Sequence, residues 1–114
     1  MQIFPRHPKE HKPGAFYYGE FTDQPLAPFS ISVASFSKDY GPEKPHYHTK
    51  NQKVYLTLEG EGILNVNGQP VIMKPEEMIH LEPNDIHFVE KVTRAPIKYI
   101  VILSSKTNDK VVID

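Results

Sequence analysis

His46-Tyr47-His48-Thr49-Lys50-Asn51-Gln52-Lys53-Val54-Tyr55-Leu56-Thr57-Leu58-Glu59-Gly60 is the stretch on which the reading of this chain turns. Alternate residues of a β-strand point to one face, so His46 and His48 share a side and Tyr47 takes the other. Two imidazoles side by side form half of a metal site. After a short polar link, Val54 to Leu58 is strongly β-forming and runs into Gly60-Glu61-Gly62. Further along, Pro83-Asn84-Asp85-Ile86-His87 offers a turn followed by a third histidine. Three imidazoles from two distant segments would make a facial set with coordination positions left open for a ligand.

Outward from this stretch the pattern stays extended. Phe29, Ile31, Val33 and Ser35 alternate with Ser30, Ser32, Ala34 and Phe36, and a turn with Lys38, Asp39, Gly41 and Pro42 leads to the histidine pair. Ile63 to Val66 runs into Asn67-Gly68, a strong two-residue hairpin signal, and Val71-Ile72-Met73 returns. Met78 to Leu81 and His87 to Val89 flank the Pro83-Asn84 turn. Ile97 to Leu103 is a largely apolar run, expected to be buried on both faces, and Val111-Val112-Ile113 suggests a tail strand. Eleven prolines and roughly eight to ten short strands predict an all-β antiparallel sandwich or barrel. Residues 1–29 read as an aromatic-rich arm (Phe16, Tyr17, Tyr18, Phe21, Phe29) packing on the barrel or on a partner subunit, residues 30–104 as the barrel and 105–114 as a tail.

At these motifs the chain resembles the cupin family. Its first motif runs roughly G-x5-H-x-H-x(3,4)-E-x6-G; Gly41, His46, His48 and Gly60 fall in register, with one residue fewer between Gly41 and His46. Its second runs roughly G-x5-P-x-G-x2-H-x3-N; here Glu82 replaces the proline, Asn84 the glycine and Lys91 the asparagine, while His87 matches. Asparagine tolerates a left-handed backbone better than other non-glycine residues, so that exchange is mild. Pro75-Glu76-Glu77 stands where cupins usually carry Pro-Gly-Asp. The resemblance implies a double-stranded β-helix, or jelly roll, and a divalent transition metal (Fe, Mn, Zn or Ni) on His46, His48 and His87.

One departure has consequences. Where the motif has its glutamate, this chain has Lys53. A carboxylate there would neutralise a divalent cation; an ammonium would repel it by several kcal/mol, on an order-of-magnitude Coulomb estimate. Three arrangements follow. Three histidines hold the metal while Lys53 swings aside; a one-residue slip makes Gln52 a fourth, neutral oxygen ligand; or the metal is lost and Lys53 binds an anionic ligand. The first two, with His46, His48, His87 and Gln52 as the ligand set, are narrowly preferred. Strand parity puts Tyr55 and Thr57 on the same interior face as position 53, with Val54, Leu56 and Leu58 opposite. Tyr55 and Lys53 are then the candidates to orient a substrate, with a core aromatic making one hydrogen bond as at least an equal alternative for Tyr55. His80 is read as structural rather than pocket-lining, and His7 and His11 as solvated.

Composition narrows the function classes. A net charge of −1 and scattered lysines give no footprint for nucleic acid. With no cysteine, there is neither a disulfide framework nor thiolate chemistry. No segment is apolar and long enough to span a bilayer, and no leader is evident, so a cytoplasmic protein is expected. No Gly-x-Ser-x-Gly or phosphate-cradling glycine loop occurs. The expectation is a small cupin, as a homodimer, acting on a small polar metabolite in dioxygenase- or isomerase-like fashion. The alternative is a metal-free cupin that binds a sugar or organic acid.

Overall fold

Because β-branched and aromatic residues recur every second position, the described residues fold mostly as strands. A computed structural model describes residues 3, 6–10, 14–18, 29–36 and 43–114. The expected turn at Lys38 to Pro42, together with His11 and Phe21 of the arm, lies outside these residues. Among the described residues there are eight strands: β1 (Ala15–Tyr17), β2 (Ser30–Phe36), β3 (His46–His48), β4 (Lys53–Val66), β5 (Gln69–Met73), β6 (Met78–Leu81), β7 (His87–Leu103) and β8 (Lys110–Val112). None of the described residues forms a helix long and apolar enough to cross a membrane.

Two long strands build the roll. The first half of β4 pairs with β6 and with the second half of β7, which in turn pairs with β2, and β2 with β1. Past four irregularities between Thr57 and Leu64, the second half of β4 pairs with β5 and with the first half of β7. His87, at the start of β7, also pairs with β3, and β3 with β8. Bulges of this kind bend a strand and increase its twist, so β4 and β7 pass from one layer to the other. The result is a curled antiparallel sheet, a double-stranded β-helix with its core between the layers.

That core is Phe36, Tyr55, Leu64, Met73, Leu81, Val89, Ile97 and Tyr99, with Ala15 and Ala34. Lys53, Tyr55 and Thr57 are all buried, while Val54 and Leu56 are half-buried and Leu58 is exposed, as strand parity predicts. The run from Ile97 to Leu103 differs from its expectation of burial on both faces. Ile97 and Tyr99 are buried, but Lys98 is exposed and residues 100–103 are half-buried, because one side of this strand faces out of the roll.

The tight turns follow their residue types. Asn67 (φ 51°) and Gly68 (φ 85°) both take positive φ, the type I′ hairpin geometry. At Gly60 (φ 75°) an added Cβ would lie 2.2 Å from the carbonyl oxygen of Pro96, so only glycine fits. Asn84 adopts φ 72°, standing in for the motif glycine. Glu76 adopts φ 67°, a conformation that costs a non-glycine residue about 1–2 kcal/mol. Glu76→Gly is therefore expected to stabilise the fold by about 0.5–1 kcal/mol net of glycine's entropy. Urea denaturation checks this, and an unchanged or lowered midpoint would contradict it.

Candidate metal and ligand centre

His46 on β3 and His87 on β7 are directly opposed across the strand pair, and His48 follows two residues on. The turn ahead of β7 is tied to β3 by the Asn84 amide, which donates to the His48 carbonyl at 2.7 Å. Register and parity thus bring the three rings to one place. One nitrogen from each lies within 4.8 Å of the others, and all three residues are buried.

Each ring is held in a defined tautomer. His46 Nδ1 donates to the Lys44 carbonyl at 3.0 Å and His87 Nδ1 to the Asp85 carbonyl at 2.8 Å. His48 Nδ1 donates to the Asp109 carboxylate at 2.8 Å. Burial first, then the nearby Lys53 charge, lowers the pKa of His46 to about 4 and of His87 to about 3. That of His48 is also lowered, chiefly by burial, against the opposing effect of the hydrogen bond it donates to Asp109. Neutral imidazoles that donate from Nδ1 carry their lone pair on Nε2. Three such lone pairs are therefore available at the centre.

Asp109 is the support that the sequence reading missed. Besides His48 it accepts hydrogen bonds from the backbone amides of Lys50 and Asn51, both at 2.7 Å, and from Asn51 Nδ2 at 2.8 Å. Burial alone would raise its pKa; these donors outweigh burial and hold it well below the usual carboxylate range. A carboxylate behind a metal-binding histidine fixes the ring and raises its basicity.

Lys53 occupies the middle. Its Nζ donates to His46 Nε2 at 3.2 Å and to His87 Nε2 at 3.0 Å, and lies 5.0 Å from the centre of the Tyr55 ring. The residue is only 8 % exposed. Gln52 points elsewhere: its side chain is exposed and its Oε1 accepts from His80 Nε2 at 2.7 Å, on the strand face opposite Lys53. The structure thus assembles His46, His48, His87, Lys53 and Tyr55, and leaves Gln52 and His80 outside. A cavity of about 90 Å³ adjoins the centre. Its wall includes Tyr17, Ser30, Ser32, Glu43, Tyr99 and Lys110, none of which the sequence reading singled out for the site. Alternation marked Ser30 and Ser32 as sharing a face but did not say which face was inward.

Residues 37–103 match the family described as Cupin domain. The chain is a cupin. A curated relative, the uncharacterized protein MJ1618 of Methanocaldococcus jannaschii, is 26% identical over 55 residues. That match covers 48% of this chain and 44% of the relative, so this cupin spans less than half of that protein. Among solved structures, KdgF from Halomonas aligns with a TM-score of 0.73 at 14% identity, over 96% of this chain and 97% of that one. Pac13, described as a nucleoside dehydratase and, from Streptomyces, also solved with uridine, aligns with a TM-score of 0.66 at 15% identity, over 96% and 84%. Oxalate oxidase in complex with the substrate analogue glycolate gives 0.61 at 17% identity, over 75% and 46%. At such identities these likenesses establish the shared fold.

The donor set suits a divalent transition ion: three neutral, oriented imidazoles with carboxylate or carbonyl support behind each. Lys53 in its present rotamer does not. Metal–imidazole bonds are about 2.0–2.1 Å long, so an ion on these nitrogens needs the space into which the ammonium now donates. A divalent ion and an ammonium about 4 Å apart repel by roughly 8 kcal/mol at an effective dielectric of about 20. The centre fits a metal once Lys53 turns away.

Proposed function

We propose that this cupin binds a small polar metabolite in the cavity and acts on it at a divalent transition metal held by His46, His48 and His87. The observation that carries this reading is the convergence of three buried Nε2 lone pairs whose tautomers are fixed from behind. Imidazole suits Fe, Mn, Zn and Ni alike, so the identity of the metal is left to its availability. When bound, such an ion supplies Lewis-acid polarisation of a substrate oxygen or, as Fe(II), reactivity toward O₂, consistent with isomerase- or dioxygenase-like chemistry. The chain's own part is binding and orientation. Tyr55 and Lys53 face the cavity and are the groups proposed to position a substrate oxygen, with Ser30, Ser32 and Tyr17 along its wall. The uridine and glycolate held by two structurally similar proteins support a small polar ligand for this fold.

Tag-free protein is expected to carry close to one transition metal per chain by elemental analysis, and His48→Ala to lose most of it. An unchanged metal content in His48→Ala would refute the assignment. A second reading, a metal-free cupin that uses Lys53 to bind an anion, is favoured by one observation: the ammonium already donates to two of the three nitrogens. Elemental analysis separates the two, since this reading gives no metal stoichiometry.

A further inference from the structure

We infer that Lys53 couples the binding of a divalent metal and of a small carboxylate-bearing metabolite at this centre, so that each strengthens the other. The inference rests on the metal reading proposed above. Lys53 opens β4, and its backbone is flanked on both sides, paired with Leu81 of β6 and with Leu103 of β7. The backbone therefore cannot carry the side chain out of the roll. When the ammonium leaves the imidazole nitrogens, the space open to it is the cavity that Lys53 itself lines, which keeps its charge beside the metal position.

The surrounding charges do not absorb this. Glu43 and Lys110 line the cavity, and Asp109 sits behind His48. Two lysines and two carboxylates balance as they stand, so a divalent ion leaves two positive charges in excess. A glutamate at position 53, as in the family motif, would have brought the same set to neutrality. Glu43 is already engaged, since its Oε1 accepts from the Val89 amide at 2.9 Å. An anionic ligand meets both demands, offering oxygens to the open coordination positions and a counter-charge to the displaced ammonium. A neutral ligand meets only the first.

The test is a Co²⁺ titration of tag-free protein, read by the visible absorption of the bound ion, with and without glycolate as the anion and ethylene glycol as the uncharged control. Glycolate is expected to tighten Co²⁺ binding at least about tenfold in the natural protein, and ethylene glycol to leave it within about twofold. Lys53→Met, which keeps the length of the side chain without the charge, is expected to bind Co²⁺ at least about tenfold tighter than the natural protein with no anion present. Its response to glycolate is expected to fall well below that of the natural protein, leaving only the part due to direct ligation. Lys53→Gln serves as a second variant should the methionine disturb the fold. Equal glycolate enhancement in natural and variant proteins, or none in the natural protein, would overturn the inference. His48→Ala separates this failure from the wider one: loss of Co²⁺ there with no effect at Lys53 removes the linkage alone, whereas retention of Co²⁺ removes the metal assignment itself.

Discussion

Replacing Asp109 by alanine is expected to cost about 2–4 kcal/mol of stability and to weaken any metal at the centre about 10- to 100-fold. Its carboxylate is buried and accepts four hydrogen bonds: from His48 Nδ1, from two backbone amides and from Asn51 Nδ2. An alanine leaves these donors without their acceptor; the three partly buried ones each cost about 1 kcal/mol or more, whereas the exposed Lys50 amide turns to water. The His48 ring then loses the contact that fixes its tautomer, which is why metal affinity falls together with stability. Asn51 is the second member of the knot: its Oδ1 accepts from the Ser105 amide and from the hydroxyls of Ser104 and Ser105. Chemical denaturation and metal titration of the same variant read the two effects. A loss below about 1 kcal/mol would show that the knot is not a structural anchor.

Acidification of the metal-free protein has the other large expected effect. In an unfolded chain His46 and His87 titrate near the ordinary 6.5, whereas in the fold they do so at about 4 and about 3. Between these values the unfolded chain takes up protons that the folded chain refuses, so the balance shifts toward unfolding as pH falls. The stability these residues contribute is therefore complete above about pH 6.5 and is lost as pH drops toward 4. The loss is on the order of a few kcal/mol, because burial and the Lys53 charge act on the two rings together. Urea midpoints at pH 7 and pH 4.5 measure it. A midpoint independent of pH over that range would mean that the two imidazoles are not held neutral by their surroundings.

Much of this was legible in the residues. The histidine pair, the Asn67-Gly68 hairpin and the parity of positions 53, 55 and 57 each rest on two-residue periodicity or on a single φ requirement, and such local rules survive folding. Asn84 took the left-handed conformation of the glycine it replaces for the same reason. Gln52 shows the limit: a slip of one residue reverses every side chain of a strand, and the pairing of Lys53 with both Leu81 and Leu103 leaves no room for one. Asp109 was not legible because its role arises from a contact 61 residues away in sequence, within a polar tail that carries no periodic signal. Glu43 and Tyr17 reach the cavity through the closing of the roll, which no local pattern encodes. The lysine at position 53 could be seen to oppose a cation; that its amine would stand among the nitrogens themselves is a fact of three dimensions.

The centre draws on Tyr17, on His46 to Tyr55, on His87 and on Asp109, so its parts come from stretches far apart in sequence. These groups come together only when β1, β3, β7 and the stretch ahead of β8 have closed into the roll. The complete centre is thus a product of closure, and a ligand that needs all of its parts finds them only in the finished roll.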